Sequence, residues 1–171
     1  MTDVSLTSLE REKFVGMRKI LPWLVLSALI IIVDYLSKIA VSHWLGNGQT
    51  VVFSPFISFT LAWNQGAAFS FLASAGGWQK VFFIGLALLA SIIILVLLVR
   101  HARNYRFCFA LSLILGGALG NMLDRLLYGH VIDFIQLHYG AHYWPTFNVA
   151  DSAITLGAVL LIVQDLRPRN R

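Results

Sequence analysis

Charge is scarce in this chain and cysteine almost absent. Only 12% of the 171 residues are charged, against about 25% in a soluble domain. With 58% apolar residues, that deficit points to a membrane protein of one domain. The single cysteine, Cys108, excludes an intrachain disulfide and any cysteine-based metal cluster. It also reads as a small buried apolar residue rather than a nucleophile, and no G-x-S-x-G motif supplies a serine in its place. His43, His101, His130, His138 and His142 show no HExxH or other tight ligand spacing. Neither a metal nor a cofactor is therefore expected. Internal repeats and low-complexity linkers are lacking as well.

What charge there is lies in a telling order. The net charge of +5 would suit a nucleic-acid partner only if it formed a stripe or patch. Instead Arg11, Lys13, Arg18 and Lys19 precede the first apolar run, Arg100, Arg103 and Arg106 separate the second from the third, and Arg167, Arg169 and Arg171 follow the last. Basic clusters at alternate connections are the positive-inside pattern of a multi-pass membrane protein. No nucleic-acid partner is expected.

A bilayer core needs roughly 20 apolar residues in a helix. Four runs qualify by sequence, at about 20–40, 80–99, 107–126 and 145–166, after a polar segment 1–19. The first is too long for a signal-peptide apolar region and lacks an A-x-A site directly after it, so it is expected to stay as a span. The third carries GGALG, whose small residues let helix backbones approach closely. The expected architecture is membrane all-α: a four-helix transmembrane bundle with both termini cytoplasmic. Residues 50–63, rich in Val, Phe, Ile and Thr, add one or two strands to the outer loop between spans one and two. Trp78 is placed to anchor the second span at the interface.

Six ionisable residues stand apart from the termini and basic loops: Asp34, Lys38, Asp124, Arg125, Asp133 and Asp151. The expected topology brings all six to the outer face. Structural roles exist for each. Asp34 and Lys38, at i and i+4, can pair on one helix face, with Lys38 snorkelling to the headgroups. Asp124 and Arg125 can close the third helix, and Asp133 can sit on an aqueous extended loop. Asn148-x-x-Asp151 has the form of a capping box with Asp in place of Glu; a helix that starts instead near Pro145 would bury Asp151 more deeply. Intramembrane carboxylates are otherwise functional, and Asp133 is the natural partner of Asp151.

Two carboxyls in a water-poor site share a proton and titrate as a pair. The charged member can then take a proton from water while the protonated one bonds a carbonyl, as in aspartic proteases. A different use of the same carboxylates is open at this point: a small proton- or ion-coupled transporter. A lipid-binding scaffold would account for the outer loop but not for the carboxyl pair.

Five stretches carry a family resemblance: VDYLSK (33–38), NQGAAFS (64–70), GGALGNMLDR (116–125), HVIDF (130–134) and FNVADSAI (147–154). In this order and spacing the chain resembles the bacterial lipoprotein signal peptidases, signal peptidase II, from Leu21 to Leu166. The resemblance implies an aspartyl endopeptidase of the bacterial cytoplasmic (inner) membrane that acts near the extracytoplasmic face. Its implied substrates are prolipoproteins, cut just before a cysteine that already carries a diacylglyceryl group. Membrane phospholipids surround it, and globomycin-type cyclic peptides are its implied inhibitors. The implied catalytic dyad is Asp133 and Asp151. Implied supporting residues are Asp34, Lys38, Asn64, Gly66, Asn121, Arg125 and Asn148, with Asp124 structural. Tyr35 departs from the glutamine usual in the first motif. The aromatic-rich stretch Val51–Trp63 is expected to serve as a surface platform for an extended peptide.

Overall fold

The structure, a computed structural model, describes residues 8–46, 48–66 and 77–166, with side chains from Lys19 onward. Residues 67–70 of the second motif, and Arg167, Arg169 and Arg171, lie outside the described residues. Four helices and four strands follow one another as α1 (Ser8–Leu45), β1 (Thr50–Ser54), β2 (Ile57–Asn64), α2 (Gln79–Arg100), α3 (Tyr105–Tyr128), β3 (Val131–Tyr139), β4 (His142–Tyr143) and α4 (Val149–Asp165).

Three of the four expected spans are long and apolar enough to cross a membrane: Lys19–Leu45, Gln79–Arg100 and Tyr105–Tyr128. The fourth is shorter than the 145–166 read from sequence, because α4 begins only after its cap at Asn148 and has 17 residues. At 1.5 Å per residue that is about 26 Å. The delay has a local cause. Phe147 is tied to β3, its carbonyl accepting from the backbone N–H groups of Phe134 and Ile135 and its own N–H donating to the Ile135 carbonyl. Pro145 therefore precedes the helix rather than opening it. At the other end of the chain the helical backbone starts at Ser8, earlier than the polar segment 1–19 implied.

α3 is the centre of the bundle, packing on α1, α2 and α4. Its small residues set the spacing. A Cβ on Gly116 would lie 2.8 Å from both the Ile30 Cβ and the Ser27 carbonyl oxygen of α1, and one on Gly117 would collide with the Ala150 carbonyl oxygen of α4. Such approach is how helices gain packing in lipid, where apolar burial between them gains little. The hydroxyl of Ser27 also donates to the Ser112 carbonyl at 3.0 Å. Below this contact, Leu98 of α2 and Cys108, Leu111 and Leu115 of α3 form the apolar core. α2 buries only Gln79, Ser91, Ile94 and Leu98; the rest of its surface is apolar and open, as suits lipid.

The sheet is larger than sequence indicated and draws on both the α1–α2 and the α3–α4 connections. β1 to β4 pair antiparallel in chain order, β2 with β3 through Ala62 opposite Asp133 and Asn64 opposite Val131. The alternation in 131–136 is thus that of a strand. α3 ends at Gly129, whose φ of 83° is a left-handed cap and whose N–H donates to the Arg125 carbonyl. This turn sends the chain back as β3 over the end of the bundle, carrying Asp133 with it.

Candidate active site

Asp133 reaches the bundle end from β3, and Asp151 from the first turn of α4. Asn148 joins them. Its side-chain amide donates to Asp133 Oδ1 at 2.8 Å, its Oδ1 accepts from the Asp151 N–H at 2.8 Å, and its own N–H donates to Asp151 Oδ2 at 3.3 Å. The capping box anticipated from Asn148-x-x-Asp151 is complete. Each carboxylate has a further amide donor: Asn64 Nδ2 to Asp133 Oδ2 at 3.0 Å, and Asn121 Nδ2 to Asp151 Oδ1 at 2.7 Å.

Behind this pair lies a buried charged layer. Lys38 and Asp34 form the i,i+4 pair at 2.7 Å, and Lys38 Nζ makes a second ion pair with Asp124 at 2.7 Å. Its third contact is to Asn121 Oδ1 at 3.3 Å. An ammonium has three donors, so all are used. Snorkelling does not occur: Lys38 is 1% exposed, since two carboxylates and an amide offer it better partners than headgroups. Asp34 also accepts from the Ala150 N–H of α4 at 2.8 Å, and Asp124 accepts from the Ile132 N–H of β3 at 3.1 Å. The layer therefore pins the two elements that carry Asp133 and Asp151. Asp124 acts here inside the site, not as a cap on α3, which continues to Tyr128.

Arg125 closes another side. Its guanidinium donates to the Gly66 carbonyl at 2.7 Å and the Asn121 carbonyl at 3.3 Å, and it stacks 4.8 Å from the Phe83 ring centroid. Gly66 is itself turned by an N–H bond to Asn64 Oδ1 at 3.0 Å, so Arg125, Gly66 and Asn64 form one chain of contacts to Asp133.

Four carboxyls, the buried Asp34, Asp124 and Asp133 and the half-buried Asp151, thus face two cations, Lys38 and Arg125. Ionising all four leaves two negative charges uncompensated in a poorly solvated place, so retention of a proton by one is favoured. Asp133 has its carboxyl pushed up to about 7, first by burial and then by the charge of Asp151, against the amide bonds from Asn64 and Asn148. A carboxyl raised into this range exchanges a proton near neutral pH, which suits paired acid–base chemistry.

A cavity of about 700 Å³ opens on Asp151, bounded also by Asn64, Gly66, Asn121 and Arg125 at its polar end, while Asp133 lies buried behind Asn64 and Asn148. Its apolar wall was not anticipated. Thr155, Leu156 and Val159 continue it down α4, and Val131, Leu137 and Phe147 cover its other side. Asp151, Thr155 and Val159 recur every four residues, a helical face that could have been read from the sequence once Asp151 was assigned. Phe83 had no local signal at all. Every residue expected at the site, Asp34, Lys38, Asn64, Gly66, Asn121, Arg125, Asp133, Asn148 and Asp151, is in this one connected set. Among the described residues no group of three or more His, Cys, Asp or Glu side chains could hold a metal.

Comparison with known proteins places the chain in a family. A family model described as Signal peptidase (SPase) II matches residues 26–167. Lipoprotein signal peptidase of Paraburkholderia phymatum is 53% identical over 146 residues, covering 85% of this chain and 88% of that one. Proteins of the same name from Ralstonia nicotianae, at 53% over 85% and 84%, and Burkholderia mallei, at 54% over 85% and 88%, match similarly. A bacterial membrane enzyme solved by the in meso method at 2.3 Å resolution superposes with a TM-score of 0.76 at 31% identity, over 85% of this chain and 87% of that one. A second, solved at 1.9 Å, gives 0.73 at 30% identity over 85% and 93%. With a peptidase model over most of its length and apolar helices long enough to cross a bilayer, the chain belongs to the signal peptidase II family of membrane peptidases.

Proposed function

We propose that this protein removes the signal peptide from diacylglyceryl-modified prolipoproteins, with Asp133 and Asp151 activating the water that cuts just before the lipidated cysteine. The observation that carries the reading is the bridge made by Asn148, which holds both carboxyls in one hydrogen-bonded unit. In the reaction the ionised carboxyl takes a proton from water as the oxygen attacks the scissile carbonyl carbon. The protonated carboxyl gives its proton to the carbonyl oxygen. The resulting tetrahedral diol collapses with breakage of the C–N bond: the departing amine takes a proton from the protonated carboxyl while one diol hydroxyl gives its proton to the other carboxylate, which restores the single shared proton. No metal or cofactor enters, and no covalent enzyme intermediate forms.

The shape of the cavity suits such a substrate. From Asp151 to Val159 its wall descends α4 by about 12 Å, turning from polar to apolar, with Leu156 and Val159 about half exposed. A peptide at the dyad can keep its apolar portion and acyl chains against that wall, in lipid. We infer that α4, packed antiparallel along α3 as Gly117–Ala150 and Gly157–Ala110 require, completes a fourth crossing. Both termini then lie in the cytoplasm, with the dyad near the extracytoplasmic face of the inner membrane. β1, the edge of the sheet, offers unpaired backbone groups to an extended peptide, with Val52, Phe53 and Phe56 exposed beside it.

The test is incubation of purified protein with a lipidated prolipoprotein and with the same protein unlipidated. Cleavage of the lipidated form alone, at the bond before the modified cysteine, is expected. Cleavage of both at equal rates would overturn the lipid requirement, and cleavage of neither the reading itself.

A further inference from the structure

The opposite end of the bundle holds a second feature that the peptidase reading does not use. The short α2–α3 connection and the start of α1 enclose a cavity of about 520 Å³ bounded by Lys19, Arg100, His101, Arg103 and Asn104. Beside it, between α1, α3 and α4, runs a groove of about 490 Å³ whose walls include Trp23, Phe109, Leu160 and Val163, with Arg106 at its edge. Lys19 stands one turn before Trp23 on α1, and Asn104 adjoins Tyr105 on α3. The two hollows are thus neighbours, and on the groove's side the Trp23 and Tyr105 rings touch edge to face at 5.9 Å.

Positive-inside topology asks only for cations near this end. It does not ask that they bound a hollow, nor that an apolar groove continue from it. Among the described residues no carboxylate lies within ion-pair distance of Lys19, Arg100, Arg103 or Arg106, since both ion pairs present belong to Lys38. The described acid nearest in sequence to this groove, Asp165, is exposed at the end of α4. A phosphate would meet no competing carboxylate among the described residues, guanidinium donors suited to it, and a greasy channel of the right character alongside. Free phosphate uses only the first two of these, whereas a phospholipid uses all three.

We propose that this end of the bundle is a binding site for an anionic phospholipid, its phosphate among Lys19, Arg100 and Arg103 and an acyl chain along the groove past Trp23 and Phe109 to Val163. It is a structural lipid, bound at the far end of α3 from the dyad and distinct from the substrate cavity.

The test is lipid titration of the full-length protein in detergent, read by native mass spectrometry, with phosphatidylglycerol and phosphatidylcholine as probes. Phosphatidylglycerol is expected to bind at least about 10-fold more tightly. Replacing both arginines in R100Q/R103Q is expected to weaken it about 30-fold, at the contribution typical of a basic residue close to an anionic headgroup, while phosphatidylcholine changes little. Val163→Trp, which fills the groove, is expected to weaken both lipids. Inorganic phosphate is expected not to displace the lipid at millimolar concentration. Equal affinity for the two lipids, an unchanged R100Q/R103Q, or full displacement by phosphate would each overturn the proposal. Helical circular dichroism of each variant separates loss of the site from loss of the fold, and the readout does not depend on cleavage.

Discussion

Asn148 and Asp133 come from different elements, a helix cap and a strand, yet the amide of one donates to the carboxylate of the other at 2.8 Å. Because the same Asn148 caps α4 over Asp151, the geometry of the helix start and that of the dyad are one geometry. Asn148→Ala should therefore do two things. Loss of the cap costs about 1 kcal/mol of stability, visible as a lowered thermal midpoint, and cleavage should fall by about 100-fold or more because proton transfer depends on position. Asn148→Ser, which can still cap, should recover the stability but not the rate. Recovery of both would mean that the bond to Asp133 is dispensable.

The pH dependence of stability follows from Asp133. Its carboxyl sits at about 7 in the folded protein against 3.8 ordinarily. Below pH 3.8 it is protonated whether the chain is folded or not, and it opposes nothing. Between 3.8 and about 7 the unfolded chain releases the proton more readily, so stability falls as pH rises through this window and levels off above it. Asp133→Asn, neutral throughout, should remove that slope. Denaturant unfolding in detergent at pH 4.5 and 7.5 checks this; an Asp133→Asn variant with an undiminished slope would show that the raised carboxyl lies elsewhere.

Lys38 has three acceptors and no alternative outlet to water. Its replacement by Met should leave Asp34 and Asp124 buried without a cation, at a cost of about 3–5 kcal/mol. The triple variant Asp34→Asn, Lys38→Met, Asp124→Asn should recover part of that loss, since the uncompensated charges go with the cation. Thermal unfolding separates these outcomes. A Lys38→Met protein as stable as the parent would mean that the two ion pairs contribute no net stability.

How much of this was legible beforehand depends on sequence distance. Asp34–Lys38 and Asn148–Asp151 are spacings of four and three on helices, where one periodicity decides who meets whom, and both were readable. The span of α2, free of charge, was equally plain. The length of α4 was not, because its start is set by Phe147 bonding to β3, thirteen and twelve residues earlier. β3 itself hid for the same reason: its partner β2 lies across two helices. The central role of Asn121, which touches Lys38, Asn148 and Asp151, depends on the packing register of α3 against α1 and α4. That register is set by contacts at Gly116 and Gly117 with no local signature beyond small size. The family was recognisable from five motifs in order, while the buried charge layer became visible only in three dimensions.

The central claim is that Asp133 and Asp151 act as one unit on water, and the rate of cleavage of a lipidated prolipoprotein by Asp133→Asn, Asp151→Asn and the double variant tests it most directly. Each single change removes the shared proton system, so each should lower the rate by at least about 10²–10⁴-fold, and the double variant should be no slower than the slower single one, as expected of residues that act as a unit. Retention of appreciable turnover by either single variant, in protein that is folded and inserted, would contradict the account.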